Sequence, residues 1–541
     1  MLSIDVPKQV TKANKSLKGV RLRVSRRDFL TLSTATVLGG RIALSSGTRI
    51  RTEQAKTEQQ LAADPQRPRY HLMPPANWMN DPNGPLFWKG QYHMFYQYNP
   101  NGAFWGTMHW GHAVSPDMVH WKHLPIALAP TPGGPDKDGC FSGCAVVDQG
   151  APTLVYTGVS PEVQCIARSD DGMMTWRKYP GNPVIGAPPQ GMEITGFRDP
   201  CVWREGDEWF LAIGSGIKDQ GGMVLLYRSK DLIHWDYLHL LCKGRKDELL
   251  PGKDAVSTGE MWECPDFFPL ADKHALIVST QGAVIYSLGA YVNHYFHPEV
   301  QGKADLGDSY YAPRSMVDER GRRILWGWIK EGRSDAAQRA AGWSGVMSLP
   351  RVLTFGNDGT LGMAPPPEIA AWRGRVQRFE GLPILPGSFS LLKGVRGDSL
   401  EIQAEFEPGA SEAVGLTVRS APDGKEQTSI TYHRAGNHLL VERNRSSLSP
   451  DVERGTQGGS FVLAEDETLK LHVFLDASVI EIFANDRACL TSRIYPSRSD
   501  SLGIGLRAFP SNPSPGPLPD EVHRDSGPPS PLGRGLATEN R

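Results

Sequence analysis

The stretch SPDMVHW at residues 115–121 decides how this chain folds, because it recurs twice in degenerate form. SDDGMMTW follows at residues 169–176 and SKDLIHW at residues 229–235, each with a serine, an acid and a closing tryptophan. The tryptophans stand about 55 to 60 residues apart, a spacing that suits one small antiparallel sheet per repeat. Units of this size indicate the blades of a β-propeller.

The sequence around the repeats consists of short β-type runs separated by Gly, Pro, Asn and Asp. Examples are QYHMFYQY at 91–98, EWFLAI at 208–213 and RILWGW at 323–328, and no helix of three turns or more is evident. This pattern is typical of an all-β protein. At the period of the repeat, residues 70–365 hold five blades.

A second domain is expected after the three prolines at 365–367 and a linker over residues 366–385. Residues 386–509 alternate apolar and polar positions over short runs, as in 399–406 and 469–475, which indicates a β-sandwich. The predicted fold is therefore all-β, with a five-bladed β-propeller followed by a C-terminal β-sandwich.

The two ends of the chain have a different composition. Residues 1–45 contain the string SRRDFL at 25–30 and then a short apolar run that ends at Arg41, which resembles a twin-arginine export signal; a basic disordered tail is the alternative. The run is too short to cross a bilayer, so no stable membrane insertion is expected. We expect an exported protein, periplasmic or extracellular, with a linker at 46–69 and a proline-rich disordered tail at 510–541.

Charge and cysteine content narrow the possible functions. Lys and Arg number 58 against 59 Asp and Glu, so no basic field for nucleic acid is present. The seven cysteines include no CxxC pair, and His109 and His112 lack a third ligand, so neither a metal nor another cofactor is expected. The 58 glycines, 43 prolines and 14 tryptophans suit an all-β protein that binds sugars.

Three acids lie in unusual strings: Asp81 in WMNDPNG at 78–84, Asp199 in RDP at 198–200, and Glu263 in MWECPD at 261–266. Glycoside cleavage with retention requires one carboxylate near the anomeric carbon and one protonated carboxyl near the leaving oxygen. Taken singly, each could be a turn aspartate or a solvated glutamate. Their joint occurrence in this order favours a catalytic site.

In these strings the chain resembles glycoside hydrolase family 32, which comprises invertases, fructan exohydrolases, inulinases and levanases. The resemblance extends over residues 70–510 and includes SVIEIF at 478–483 and LTSRIYP at 490–496 in the second domain. It implies a five-bladed propeller with a β-sandwich, no cofactor, and sucrose or a fructan as substrate. The implied reaction releases terminal β-fructofuranosyl residues with retention.

The resemblance also implies a role for each acid. Asp81 corresponds to the nucleophile, Glu263 to the general acid and base, and Asp199 to the stabiliser of the transition state. We expect hydrogen bonds from Asn80 and the backbone to lower the pKa of Asp81. We expect an apolar wall formed by the neighbours of Glu263, Trp262 and Cys264, to raise the pKa of the Glu263 carboxyl.

Further positions match the family's substrate contacts. The expected contacts with fructose or with the walls of its pocket are Asn80, Gln97, Trp105, Phe141, Ser142, Arg198, Trp78 and Trp328. Trp328 fits a pocket wall or the blade core equally well. We assign five other aromatic positions to the cores of the blades: Trp110, His112, Trp121, Trp176 and Trp235.

Several alternatives remain open at this point. A fructosyltransferase or an endo-acting fructanase would use the same three acids, and a catalytically silent carbohydrate-binding propeller or an inverting enzyme of a neighbouring five-bladed family is more remote. Plant cell-wall invertases carry an Asp and a Lys in a loop where this chain has residues 279–284, which contain neither. Strict preference for sucrose is therefore not expected, unless the Gly332–Gly345 segment supplies replacement contacts.

Overall fold

The computed structural model describes residues 20–27, 56–246, 257–356, 358–382, 389–407 and 411–509. Within these ranges the chain is built of β-strands, with two short α-helices, Glu58–Ala62 and Asp335–Ala341, and a 3-10 helix at Pro367–Trp372. No helix among these residues is long and apolar enough to cross a membrane. The expected disordered tail at 510–541 lies outside the described residues.

The first domain consists of sheets that are antiparallel apart from one short parallel pairing, and each is made almost entirely of strands that are consecutive in the chain. The sheet nearest the start of the domain contains Asn77–Trp88, Gln91–Asn99, His109–Ser115 and Lys122–Leu128, and its inner edge is joined by Trp343–Ser344. The next contains Gly139–Asp148, Ala151–Val159, Val163–Arg168 and Arg177–Lys178. The third sheet contains Ile194–Glu205, Glu208–Ile217, Gly221–Ser229 and Trp235–Lys243. The fourth contains Glu263–Leu270, Lys273–Ser279, Val284–Val292 and Tyr295–Lys303. The last contains Tyr310–Val317, Arg323–Ile329, Val346–Met347, Arg351–Phe355 and Leu361–Ala364.

The first long strand of each sheet, here called the inner strand, contacts the inner strands of the sheets on either side, so that the five form a closed ring. The inner strands are Asn77–Trp88, Gly139–Asp148, Ile194–Glu205, Glu263–Leu270 and Tyr310–Val317. The ring explains the glycine of the WMNDPNG string. Gly84 has φ +44°, and a Cβ there would lie 2.7 Å from the amide nitrogen of Ala145 on the next inner strand. This arrangement is a β-propeller, as the sequence repeat predicts.

The repeated serine, acid and tryptophan have a structural cause. Asp117 accepts hydrogen bonds from the Ser115 hydroxyl and from the backbone amides of Val119 and His120, and so closes the turn between the last two strands of its sheet. Asp171 and Asp231 close the equivalent turns of the next two sheets. One or two residues after the acid, each turn has a fully buried apolar residue in a left-handed backbone conformation. These residues are Met118, Met173 and Leu232.

The second domain is a sandwich of two six-stranded antiparallel sheets that enclose one apolar core. One sheet contains, in spatial order, Arg373–Leu382, Val20–Arg27, Ser399–Phe406, Leu469–Asp476, Val479–Ala484 and Ala488–Arg493. The other contains Phe389–Arg396, Gly503–Phe509, Ala413–Ser420, Thr428–His433, His438–Glu442 and Thr456–Ser460. The predicted all-β architecture of a propeller followed by a sandwich is therefore confirmed.

The structure differs from the sequence-based boundaries at the N-terminus. Residues 20–27, placed by the sequence within an export signal, form a strand inside the sandwich, paired on both sides. Val20, Leu22 and Val24 enter the sandwich core, and the side chain of Arg27 is fully buried 3.4 Å from Glu401. The alternation of apolar and basic residues in VRLRV fits a strand with one face in the core. The arginine pair of the expected signal thus belongs to a packed strand.

Both expected linkers also contain ordered elements. In the first, helix Glu58–Ala62 begins at a capping box on Thr57 and buries Leu61 against the propeller. In the second, the 3-10 helix and strand Arg373–Leu382 connect the domains without an unstructured segment over residues 366–382. These segments join the two domains through packed contacts.

A buried polar network fixes the sandwich to the propeller. Glu481, from the sandwich string SVIEIF, accepts hydrogen bonds from Leu349 N at 2.7 Å and from the Arg351 guanidinium at 2.9 Å, and it contacts His71 Nε2 at 3.0 Å. The other ring nitrogen of His71 lies 2.8 Å from Asp476, also on the sandwich. The buried charges at this interface are paired and hydrogen-bonded, and these contacts connect the two domains directly.

Candidate active site

Each inner strand carries a one-residue bulge near its first residues. In four of them three residues of the inner strand span two on the neighbouring strand, between Met79 and Pro82, Arg198 and Cys201, Glu263 and Asp266, and Tyr311 and Arg314. The fifth bulge lies between Phe141 and Gly143. A bulge re-aims a side chain that regular pairing would direct into the sheet. The ring of inner strands therefore directs one set of side chains toward a common point at one end of the propeller.

The four bulges share a sequence pattern, in which the bulged residue precedes a proline. The four dipeptides are Asp81-Pro82, Asp199-Pro200, Cys264-Pro265 and Ala312-Pro313. Proline has no N–H for the ladder and so marks the place where regular pairing stops. Asp199, Cys264 and Ala312 adopt left-handed backbone conformations with φ of 64°, 48° and 48°, which is rare for residues with a side chain. Such local strain is common at functional sites.

Asp81 contacts residues of two other bulges, Ser142 and Cys264. Its carboxylate accepts hydrogen bonds from Ser142 Oγ at 2.6 Å and from Asn80 Nδ2 at 3.1 Å, and Cys264 Sγ lies 3.5 Å from Oδ2. Burial raises the pKa of Asp81, the charge of Glu263 adds to that effect, and the donors Ser142 and Asn80 oppose it. The expected hydrogen bond from Asn80 is present, but the expectation of a lowered pKa is wrong because burial outweighs the donors.

Glu263 is held by two side chains from other sheets. Arg198 donates to Oε1 through Nε at 3.2 Å and Nη2 at 2.7 Å, and the Tyr311 hydroxyl donates to Oε2 at 2.5 Å. The backbone amide of Gln281 donates in turn to the Tyr311 oxygen at 2.9 Å. Trp262, expected to wall the carboxylate, is packed in the core between the sheets and donates its indole N–H to Thr258. The immediate surroundings of Glu263 are thus polar and charged.

Asp199 is the most enclosed of the three acids, only 4% exposed. Its Oδ2 accepts a hydrogen bond from the Cys264 amide at 3.0 Å, and its own amide donates to Thr157 Oγ1 at 3.0 Å. Arg314 donates to the Asp199 carbonyl at 2.8 Å and so fixes the backbone of the bulge. Burial raises the pKa of Asp199 to about 7, against the opposing charge of Arg198.

A wall of aromatic rings stands beside the acids. The ring of Trp78 lies 6.2 Å from Trp105 and 6.0 Å from Trp328, and Trp105 lies 5.7 Å from Phe141. Trp105 is 39% exposed, which places it at the rim. Trp328 also lies 6.3 Å from Tyr311, the partner of Glu263, and is only partly buried. The structure therefore places Trp328 in this wall. Apolar ring faces of this kind suit the C–H faces of sugars.

The remaining sequence-predicted residues have distinct positions. Asn80 accepts a hydrogen bond from the Trp78 indole at 2.7 Å and so links the aromatic wall to Asp81. Gln97 is buried on the second strand of its sheet and donates to the Cys140 carbonyl at 2.9 Å, beneath Phe141 and Ser142, with no hydrogen bond to any of the three acids. Trp110 and His112 are fully buried in the blade core, as expected.

Sequence reasoning missed Tyr311 and Glu162, and it named Cys264 only as part of a wall beside Glu263. Tyr311 could have been found, since Tyr-Ala-Pro at 311–313 repeats the pattern of Glu-Cys-Pro at 263–265 and Arg-Asp-Pro at 198–200. Glu162, whose Oε1 accepts a 2.8 Å hydrogen bond from Arg198 Nη1, lies on a turn without a motif. The described residues contain no cluster of three or more His, Cys, Asp or Glu side chains arranged to hold a metal ion.

Comparison with known proteins agrees with this geometry. Residues 71–365 match the glycosyl hydrolases family 32 N-terminal domain, and residues 371–514 match the family 32 C-terminal domain. The chain is 36% identical to a sucrose-6-phosphate hydrolase of Escherichia coli over 458 residues, which cover 79% of this chain and 89% of that one. It is 35% identical to a levanase of Bacillus subtilis over 492 residues, which cover 82% of this chain and 68% of that protein.

Among solved structures, fructan 1-exohydrolase IIa from Cichorium intybus superposes with a TM-score of 0.74 at 29% identity, covering 83% of this chain and 95% of that chain. A β-fructofuranosidase of Bombyx mori gives a TM-score of 0.63 at 28% identity, covering 84% and 97%. Both matched domains, in this order, together span most of the chain. The chain accordingly belongs to glycosyl hydrolase family 32 and is a glycoside hydrolase.

Proposed function

We propose that this protein is a retaining β-fructofuranosidase that releases terminal fructose from sucrose-type and fructan substrates. Relatives named for sucrose 6-phosphate, raffinose and levan support this substrate class, as does a related exohydrolase solved with 1-kestose. The observation that carries the proposal is that three acids meet at Cys264. Glu263 precedes Cys264 in the chain, the Cys264 amide donates to Asp199, and the Cys264 thiol lies against Asp81.

In the first half of the proposed reaction Asp81 attacks C2 of the fructosyl unit while Glu263 gives its proton to the glycosidic oxygen. The C2–O bond breaks, the leaving sugar departs as an alcohol, and fructose remains as an ester of Asp81. In the second half the Glu263 carboxylate takes a proton from water, and the oxygen of that water attacks C2. Asp81 leaves, and β-fructose is released with net retention.

The hydrogen bonds of the site suit these roles. Ser142 and Asn80 fix the Asp81 carboxylate and leave it poised as a nucleophile. Arg198 and Tyr311 hold the two oxygens of Glu263. The positive charge of Arg198 stabilises the Glu263 carboxylate that the first half of the reaction produces. Asp199 lies beside both and is assigned to the fructose hydroxyls, whose hydrogen bonds strengthen as positive charge develops at C2.

The test is the stereochemistry of the first product together with two variants. Proton NMR of fresh sucrose digests should show β-fructose before mutarotation. Asp81→Ala should reduce kcat by about 10⁴-fold or more, on the scale seen when a nucleophile is removed. Glu263→Gln should lose about 10²–10⁴-fold on sucrose but much less on a fructoside whose leaving group needs no proton.

Glu319→Gln, which neutralises an exposed acid, serves as the control for both variants and should act like wild type. First release of the inverted anomer would contradict the proposal, as would near-normal sucrose hydrolysis by Asp81→Ala. Products larger than the substrate would indicate fructosyl transfer instead.

We further propose that the chain is exported by the twin-arginine route, which takes proteins already folded. The string SRRDFL and the short apolar run after it support this proposal. The packing of Arg27 adds a constraint, because a buried guanidinium is closed to a receptor. Under this proposal the translocase binds the arginine pair either before strand Val20–Arg27 packs into the sandwich or after that strand has detached from it.

A further inference from the structure

Glu162 holds Arg198 on the side away from Glu263. It lies on the turn between the second and third strands of its sheet, ahead of strand Val163–Arg168. Its Oε1 accepts a hydrogen bond from Arg198 Nη1 at 2.8 Å, and its Oε2 accepts one from the backbone amide of Phe197 at 2.6 Å. Both carboxylate oxygens are therefore used to fix one residue and the amide next to it.

The Arg198 guanidinium is divided between two carboxylates. Its Nε and Nη2 face Glu263, and its Nη1 faces Glu162. The three side chains are only 13–22% exposed, so solvent screens their charges weakly. Because the guanidinium is planar and Glu162 fixes its Nη1, the group is restrained from rotating. Its Nε and Nη2 therefore stay directed at the Glu263 oxygen.

This arrangement bears on a chemical conflict within the site. An arginine 2.7 Å from a carboxylate favours the ionised form. The first half of the proposed reaction needs Glu263 protonated, so an arginine with no other partner would oppose it. A second carboxylate on the same guanidinium offsets part of that positive charge without removing the hydrogen bonds.

We infer that Glu162 is a positioning residue that acts through Arg198 to keep Glu263 in its proton-donating form over the working pH range. This inference rests on the proposed acid and base role of Glu263. Glu162 itself touches neither that carboxylate nor its other partner, Tyr311, within hydrogen-bond distance.

The other groups that face Glu263 remain the same when Glu162 is changed. They are the Tyr311 hydroxyl from the last inner strand, Asp81 from the first, Asp199 from the third and the thiol of Cys264 beside it. Any shift produced by neutralising Glu162 therefore reports the loss of the Glu162 charge, which faces Glu263 across the shared Arg198 guanidinium.

The experiment is the pH profile of kcat/KM on sucrose for the full-length enzyme and three variants. Glu162→Gln keeps the shape and one acceptor oxygen but removes the charge. We expect its alkaline limb, where Glu263 loses its proton, to move about half a unit to one unit toward lower pH, with KM for sucrose within about twofold. Glu162→Asp keeps the charge on a shorter stem and should retain the wild-type limb with a lower kcat.

Glu208→Gln is the matched control, since Glu208 begins the second strand of the sheet of Arg198 at the end remote from the acids. Its profile should equal that of wild type. Thermal melting and circular dichroism of each variant establish that it is folded. An unshifted limb in folded Glu162→Gln would overturn the inference, as would an equal shift in Glu162→Asp.

The outcomes separate this inference from the proposed function. If Glu263→Gln keeps normal activity on sucrose, the acid and base assignment fails and the inference fails with it. If Glu263→Gln is inactive on sucrose but active on an activated fructoside, and Glu162→Gln has an unshifted limb, only the role of Glu162 is rejected.

Discussion

The backbone amide of Cys264 donates a 3.0 Å hydrogen bond to Oδ2 of Asp199. The same residue directs its thiol at Asp81 and follows Glu263 in the chain, so one bulged residue ties three carboxylates together. The arrangement brings three carboxyl groups into one enclosed volume, where burial, and to a lesser extent the neighbouring acidic charges, raises the pKa values of Asp81 and Asp199. We expect the ionised carboxylates to cost the protein folding stability.

That cost predicts the behaviour of Asp199→Asn. Burial raises the pKa of Asp199 from 3.8 to about 7, so the folded protein binds a proton that the unfolded chain releases. Stability then falls as pH rises from about 4 to about 7 and stays lower above that range. The asparagine variant should therefore melt at a higher temperature than wild type at pH 8 and at nearly the same temperature at pH 4, with turnover reduced by about 100-fold or more.

Calorimetry or circular dichroism at pH 4, 6 and 8 checks this expectation. Asp207→Asn is the control, because Asp207 is fully exposed at the far turn of the same sheet and should show no pH-dependent gain. An Asp199→Asn protein that melts below wild type at pH 8 would show that hydrogen bonding of the carboxylate outweighs its burial.

Much of the fold and the acids could be predicted from the sequence, because local strings carry them. The turn that Asp117 closes is determined within six residues, so its repeats reveal the blades. Asp81, Asp199 and Glu263 precede or occupy bulges marked by proline, which is again a local signal. Arg198 lies beside one of these bulges and shares the same signal, whereas Ser142 lies in the fifth bulge, which has no proline.

Relationships between distant segments could not be predicted in the same way. Strand Val20–Arg27 pairs with residues near 380 and 400, and nothing in its alternating pattern names those partners. Its basic residues therefore suggested a signal alone. The expected lowering of the Asp81 pKa is also wrong, because the donor Asn80 can be inferred locally, whereas the burial that overrides it depends on five sheets meeting.

A second pH-dependent prediction concerns His71 at the domain interface. Hydrogen bonds to Asp476 and Glu481 raise its pKa against the opposing effect of burial. A raised pKa of this kind adds stability that is fully present below about pH 6.5, the usual pKa of histidine, and is lost as pH rises through the folded-state value. His71→Gln should therefore lower the melting temperature most at pH 5, and less at pH 9.

Melting curves of His71→Gln at pH 5, 7 and 9 give the comparison. His297→Gln serves as the control, since His297 is exposed on an outer strand of the propeller and should change little at any of these values. A loss of stability that grew with pH would mean that His71 is neutral in the folded protein.

The arginine pair allows export and packing to be tested separately. Arg26 is exposed, whereas the Arg27 guanidinium lies 4.7 Å from the Tyr70 ring and 4.8 Å from the Phe474 ring and faces Glu401. Lysine keeps the charge but lacks the planar guanidinium that stacks and forks. Arg26→Lys should reduce export without changing the melting temperature, and Arg27→Lys should reduce both.

Cell fractionation with an enzyme assay measures the first effect, and melting of the purified proteins measures the second. Arg23→Lys, on the same strand and partly exposed, is the control and should leave both close to wild type. Full export of the double lysine variant would refute the twin-arginine route. An unchanged melting temperature for Arg27→Lys would show that strand Val20–Arg27 does not depend on the guanidinium.

We expect the side chains at the rim of the site to determine which leaving groups are accepted. Arg333, one candidate for replacement contacts, is buried, paired with Glu331 at 2.6 Å and stacked on Trp343, so it is committed to the fold. Two other cations lie against aromatic residues near the site. Exposed Arg339 lies 3.9 Å from the Phe104 ring beside Trp105, and Lys330 Nζ lies 5.2 Å from the Tyr311 ring.

Arg339 is borne on a long, exposed side chain, whereas the proposed fructose side of the site is lined by hydrogen-bonded side chains and aromatic rings. A site that holds one sugar firmly and its partner loosely discriminates weakly between partners, because selectivity comes from differential contacts in the transition state. We therefore expect kcat/KM values for sucrose, 1-kestose, inulin and levan within a factor of about 100, equivalent to about 2.7 kcal/mol. Initial rates with product chromatography measure this, and Arg339→Gln should change the ratios between substrates while leaving inhibition by fructose unaltered. Activity confined to sucrose would contradict the expected weak discrimination between leaving groups. Long oligofructosides as the main products would show endo-acting cleavage.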